Sequence, residues 1–312
     1  MLEGYIEPSI SFISTTEGSI EFFTITSNQF SKSPKNKQKE KIILLVPGAF
    51  HNAELMYDLQ IRICEIFTRK FKNNEIIVHS FSQPGHGKSE LKGCLHLKSF
   101  NAYVKVLDEI VKHINKEVIL VGHSLGGLVI EKYLEKHTSS AAALIGPFNH
   151  SWSFVKDVSK HLLKHQKRTI LFFIFTWSPK RSFNQSSFKR LFYSINDGTH
   201  EFNNKIILLM EKISDESLRG LLGAFTKIIH YKKISRIPIL IIGGENDVAV
   251  RKEGLEWLGK KLNARIEMIA NASHNSLIDD ELIGIQPEDG NVLAVADCIS
   301  DFIGDVTNNE ET

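Results

Sequence analysis

The chain has 312 residues, 42% hydrophobic and 24% charged, an ordinary globular composition with length enough to bury a sizeable core. A net charge of +2 gives no global attraction for nucleic acid, and Cys64, Cys94 and Cys298 form neither a disulfide framework nor a metal-ligand spacing. The opening residues MLEGY lack the basic-then-apolar pattern of a secretory signal, and no apolar run reaches the roughly 18 residues of a spanning helix, so a cytoplasmic protein is expected.

Ser9 to Thr15 and Ser19 to Thr26 are rich in β-branched and aromatic residues and are separated by Thr16-Glu17-Gly18, a hairpin signal. Residues 31–41, SKSPKNKQKEK, are polar, basic and free of aromatics, and read as an exposed loop. Lys41 to Val46 is the next strand, ending in Pro47-Gly48-Ala49-Phe50-His51. A helix over about 53–71 carries Leu55, Leu59, Ile63 and Ile66 at helical spacing. Glu75 to Phe81 is a strand, the loop Gln83-Pro84-Gly85-His86-Gly87-Lys88-Ser89 follows, and a helix near 99–114 comes after it. Gly87-Lys88-Ser89 looks like the end of a phosphate-binding loop, but the first glycine of that motif would fall on Ser82, so a nucleotide site is not expected.

Val118 to Val121 is a short apolar run suited to a central strand, and from Leu128 to Lys136 the pattern turns helical. Between them lies Gly122-His123-Ser124-Leu125-Gly126. A turn this sharp crowds the residues flanking the serine, so glycine is needed there, and the hydroxyl stands above the strand ends. Ser124 is therefore read as a nucleophile, with the Leu125 N–H at a helix N-terminus as an oxyanion donor. Ala141 to Ile145 is a further strand. The strand–helix alternation then breaks over 148–236, most of which reads as helical. It resumes with a strand at 237–242, the turn Gly243-Gly244-Glu245-Asn246-Asp247, a helix at 251–262 and a strand at 265–269. Asn271-Ala272-Ser273-His274 follows, and a last helix spans roughly 290–303. Alternation of this kind implies a parallel sheet with right-handed crossovers, and catalytic groups at the carboxyl ends of its strands.

These motifs, in this order, resemble the α/β-hydrolase fold in its capped serine-hydrolase branch. The resemblance covers nearly the whole chain outside 148–236. It implies a mostly parallel eight-stranded sheet flanked by helices, with a mainly helical cap inserted after the sixth strand. The core would then comprise 1–147 and 237–312, and the cap 148–236. The family order of nucleophile, acid and histidine implies Ser124, Asp247 and His274. The chemistry fits: a serine hydroxyl needs a base to take its proton, and the imidazole needs an anion to fix its tautomer. Glu245, two residues from Asp247, is an alternative acid, and Asp247 also suits a helix N-cap. The resemblance places the second oxyanion donor at Ala49, with Phe50 as the fallback. It makes Gln83–Ser89 a structural turn at the site mouth. Family members commonly have His-Gly where this chain has Pro47-Gly48, a departure that leaves the main-chain donor in place.

The expected function is hydrolysis of carboxylic esters with a hydrophobic acyl group, through an acyl-enzyme and without metal or organic cofactor. Thioester hydrolysis, acyl transfer, carbon–carbon bond hydrolysis, or a non-catalytic ligand-binding role are alternatives, since fold does not choose among them. Segment 148–236 holds sixteen Lys or Arg against six Asp or Glu, a charge of +10 that the whole-chain +2 hides. It also carries an apolar aromatic run, Ile170 to Trp177, between basic flanks. Those aromatics either pack the cap onto the core beneath a solvated charged face, or line an acyl pocket whose basic rim meets an anionic lipid surface.

Overall fold

Period-two burial and hydrogen-bond pairing organise the chain around one sheet. In the computed structural model, residues 6–30, 40–71, 74–151, 178, 180–194, 199–234, 236–279 and 290–310 are described. The strands are β1 (Ser9–Thr15), β2 (Gly18–Thr26), β3 (Glu40–Val46), β4 (Glu75–Phe81), β5 (Ile119–His123), β6 (Ala141–Ile145), β7 (Ile239–Gly244) and β8 (Arg265–Ile269). They form one eight-stranded sheet in the order β1-β2-β4-β3-β5-β6-β7-β8. Strand β2 runs antiparallel to both β1 and β4; every other pairing is parallel. All five residues of β5 and of β6 are buried, as central strands covered on both faces require.

Alternate residues feed two cores. Leu44, Val46, Leu120 and Leu144 point to one face, where α2 (Phe100–Ile114) and α3 (Leu125–Leu134) pack. Ile43, Leu45, Val121 and Ile145 point to the other, beneath α1 (Tyr57–Lys70). Between β6 and β7 the described chain is helical: α4 (Gln185–Tyr193), α5 (His200–Lys212), α6 (Leu218–Thr226) and α7 (Tyr231–Ile234). Local chemistry starts three of these helices. Asn184, Thr199 and Ser217 accept the N–H groups of Ser187, Phe202 and Gly220, which would otherwise be unpaired in the first turn. Helices α8 (Lys252–Leu262) and α9 (Asn291–Glu310) complete the layers, α8 on the α2–α3 face and α9 beside α1.

Several element boundaries differ from the sequence expectation for identifiable reasons. The apolar pattern of the helix after Ser124 begins at Leu128, but Gly126 and Gly127 are helical too, so α3 starts at Leu125, where its N-terminus was expected. Strand β7 begins at Ile239 because Pro238 has no N–H, although its carbonyl still accepts from Ala142. The helix expected over 53–71 opens with a 3₁₀ turn at Glu54–Met56. The loop at 31–39 lies outside the described residues.

One buried group is spent on no visible function. Glu131 of α3 is 1% exposed, and neither carboxylate oxygen has a hydrogen-bond partner among the described residues. Burial, aided by the nearby Glu135, pushes its pKa well above the usual carboxylate range. The folded state therefore holds a proton that the unfolded chain releases above about pH 4.5. Stability falls as pH rises from there towards the folded pKa. Glu131→Gln is expected to match wild type at pH 4 and to melt about 3 °C higher at pH 7 in a thermal-denaturation series. An unchanged difference across that range would sink this reading.

Candidate active site

Ser124 sits between the end of β5 and the first residue of α3, at φ 50° and ψ −117°. A non-glycine residue in that region costs of order 1–3 kcal/mol and persists only where its surroundings fix it. Here the Ser124 N–H donates to Ile145 O (2.9 Å), and its carbonyl accepts from Gly127 N (3.0 Å) and Phe148 N (3.1 Å). The two flanking glycines are sterically required. A Cβ on Gly122 would lie 2.7 Å from Gly126 C and Gly127 N, and one on Gly126 only 2.2 Å from Val46 O. The second contact also shows how closely the end of β3 approaches the start of α3. That approach brings the Pro47–Phe50 turn beside Ser124: a Cβ on Gly48 would meet Ser124 Cβ at 3.0 Å.

Asp247 follows β7 and His274 follows β8. His274 Nδ1 lies 2.7 Å from Asp247 Oδ2, and both residues are buried. The other carboxylate oxygen, Oδ1, accepts the N–H groups of Ala249 (2.7 Å) and Val250 (2.8 Å). Glu245 is exposed, and its turn is tied to the His274 loop by Glu245 N to Ile269 O and Asn246 N to Ala272 O. Gly146, at φ 48°, connects this pair to the serine turn. It directly follows Ile145, and a Cβ there would stand 3.3 Å from the His274 ring and 3.4 Å from Asp247 Oδ2. A side chain there would press on the imidazole and its carboxylate partner.

Two further histidines extend in a row from His274, His123 against its ring and His51 against His123, and burial keeps both neutral. His123 lies 4.8 Å from the His274 ring, and His51 lies 5.3 Å from His123. Burial, then the His274 and His51 rings, hold His123 well below its ordinary pKa. Burial likewise pushes His51 down to about 4, against a bond from its Nδ1 to the Ala49 carbonyl. Neither opposes a positive charge developing on His274.

Of the two expected oxyanion donors on the β3 loop, only one is available. The Phe50 N–H, the fallback, is already spent on Glu216 Oε2 at 3.1 Å. Ala49 is half-buried, and among the described residues its N–H has no acceptor. Leu125 N opens α3. The fully buried Glu216 and His86 were not anticipated from sequence. Asp215-Glu216 are two consecutive acids between helical stretches, hidden in the basic surplus of 148–236. Over the site, Phe192 of α4 stands 6.2 Å from the His274 ring and 6.4 Å from Phe50, and Phe183 lies 5.3 Å from Phe50. The run 170–177 lies outside the described residues.

A groove of about 810 Å³ runs beside the acid turn, lined by Tyr193, Asn246, Asp247, Arg251 and Ser273. Another, about 580 Å³, lies between α2 and α6 away from the serine. Ser124 lines neither. Among the described residues no cluster of three or more His, Cys, Asp or Glu is arranged to hold a metal, and no helix is long and apolar enough to cross a membrane.

The sheet order, the serine turn and the helical segment after β6 define an α/β-hydrolase fold. The chain belongs to the serine aminopeptidase S33 family of these hydrolases, whose model matches residues 38–281. It is 29% identical over 190 residues to the Mycoplasma pneumoniae protein named "Putative esterase/lipase 2". That match covers 58% of this chain and spans 65% of the relative's length. Among solved structures, a carboxylesterase from Nitrososphaera gargenis superimposes with TM-score 0.65 at 15% identity, covering 96% of this chain and all of that one. Carboxylesterase CesB of Bacillus subtilis gives 0.60 at 15% identity, over 96% of this chain and 92% of its own. At such identities the likeness is one of fold.

Proposed function

We propose that this protein is a serine hydrolase that cleaves carboxylic esters carrying a hydrophobic acyl group. The observation that carries the reading is the buried His274–Asp247 pair beside the strained Ser124 turn. Ser124 attacks the ester carbonyl, and His274 Nε2 accepts its proton. Asp247 Oδ2 keeps the other imidazole proton on Nδ1 and balances the imidazolium. The N–H groups of Ala49 and Leu125 hold the oxyanion, the alcohol leaves with the proton from His274, and water releases the acyl-enzyme. Segment 148–236 acts as the cap, and Phe183 and Phe192 face the acyl chain.

The family description raises peptides as an alternative substrate. Recognising an α-amino group takes an unpaired carboxylate near the serine. Glu216, which reaches the β3 loop, and its neighbour Asp215 are both committed to internal hydrogen bonds. That favours esters. The test is a panel of p-nitrophenyl esters from two to sixteen carbons beside aminoacyl p-nitroanilides, with a fluorophosphonate probe for Ser124. The expected result is probe labelling and ester turnover with an optimum at medium or long chains. Faster turnover of ester held in anionic than in zwitterionic vesicles would add the expected lipid contact of the basic cap. Anilide turnover exceeding ester turnover, or no labelling, would overturn the assignment.

A further inference from the structure

The turn that carries Ala49 is held from the cap. Three of its peptide groups can be followed. The Gly48 carbonyl accepts from His51 N (3.2 Å), and the Ala49 carbonyl from His51 Nδ1 (2.7 Å). The Phe50 N–H donates to Glu216 Oε2 (3.1 Å), and the Phe50 carbonyl accepts from Ser214 N (2.8 Å). Phe50 itself sits at φ 68°, a conformation that a phenylalanine does not choose unaided. The Ala49–Phe50 peptide is thus gripped at both ends, by His51 at its oxygen and by Glu216 at its nitrogen. Among the described residues the Ala49 N–H has no acceptor.

Glu216 is in turn immobilised. It is 1% exposed and lies in the link between α5 and α6. Its carboxylate accepts from Tyr103 of α2 and from Ser217 N (2.9 Å), and it faces His86 Nε2 at 3.3 Å. Burial alone would raise its pKa, but His86 and these donors lower it, so it is an anion. Burial alone would depress His86, but the Glu216 charge raises it. Asn52 Nδ2 to Lys212 O (3.1 Å) and Gly87 N to Ser214 Oγ (3.0 Å) extend the same seam. Residues 212–217 therefore bind the β3 turn and the Pro84–Ser89 loop at once.

We propose that Glu216 is a positioning residue of the oxyanion hole. By holding the Phe50 N–H it fixes the turn that presents the Ala49 N–H, so the cap, rather than the core alone, sets the hole's geometry. The proposal rests on the assignment of Ser124 as nucleophile and of Ala49 as donor. A purely structural ion pair with His86 would need only charge at position 216. Holding Phe50 needs an acceptor at the right reach. The two roles rank substitutions in opposite order.

The experiment measures kcat and KM for p-nitrophenyl butyrate per serine titrated, in wild type, Glu216→Ala, Glu216→Asp and Glu216→Gln. It also measures affinity for an alkyl boronic acid, whose tetrahedral adduct places an oxygen in the hole. Loss of an oxyanion donor outright costs about 10²–10³ in turnover, and a displaced one is expected to cost about 10–100-fold. Glu216→Ala should fall by that factor in kcat and in boronate affinity, with KM moving less than about threefold. Glu216→Asp keeps the charge but withdraws the acceptor by one methylene, and should resemble Ala. Glu216→Gln keeps the reach but has one acceptor oxygen for the N–H groups of Phe50 and Ser217, so it should fall between wild type and Ala, above Asp. If Ala does not fold, the Asp-against-Gln ranking decides. Wild-type kcat in Asp, or Asp outperforming Gln, overturns the proposal while leaving the esterase reading intact. A wild type that no ester acylates overturns both.

Discussion

Replacing Ser124 with alanine is expected to lower kcat for ester hydrolysis by about 10⁴-fold or more. The fold should persist, because the hydroxyl takes no part in the bonds that hold the turn. Those run through the backbone, from Ser124 N to Ile145 O and from Gly127 N and Phe148 N to Ser124 O. Alanine at φ 50° bears the same backbone strain as serine, whereas glycine relieves it. Ser124→Gly should therefore be as inactive as Ser124→Ala, yet melt no lower. Kinetics with a chromogenic ester and a thermal melt on both variants check the two halves. Activity in Ser124→Ala within tenfold of wild type would move the nucleophile elsewhere.

Replacing Asp247 with asparagine is the second large effect, and the division of its oxygens shows why. Oδ1 accepts two backbone N–H groups, from Ala249 and Val250, and Oδ2 meets His274 Nδ1. An asparagine keeps its carbonyl towards the two N–H donors, since an NH₂ there would oppose both. Its NH₂ then faces Nδ1 and makes that nitrogen an acceptor. The imidazole proton moves to Nε2, the position that must take the proton from Ser124. Turnover is expected to drop by about 10³–10⁴-fold with little change in melting temperature. Turnover within tenfold of wild type would show that Asp247 serves only as the support of the turn before α8.

The strands along the chain and the serine turn were legible in the sequence because strong local chemistry marks them. Short β-branched runs bracketed by glycine, and Gly122-x-Ser124-x-Gly126, need no tertiary context to be read. Periodicity reads α3 only from Leu128, while the serine motif puts its N-terminus at Leu125. Here the close approach of Val46 O leaves no room for anything larger at 126. Glu245 and Asp247 could not be separated by spacing. What distinguishes them is burial, exposed against 4%, which depends on how β7 and β8 pair. Glu216 was invisible for the same kind of reason. Its partners Phe50, His86 and Tyr103 lie 166, 130 and 113 residues away, and no local pattern records a contact of that range.

The direct pairing of β6 with β7, from Ala142 opposite Ile239 to Ile145 opposite Ile242, closes the sheet underneath the long segment between them. Closing a flexible loop costs entropy only as the logarithm of its length, so doubling such a segment adds about 0.6 kcal/mol. The length of that segment therefore costs the sheet little by itself, although Ala224, Ile229 and Ile234 near its end belong to the sheet's own core. The stitch at 212–217 adds a separate constraint, since a replacement segment has to return a backbone N–H and an acceptor to Phe50.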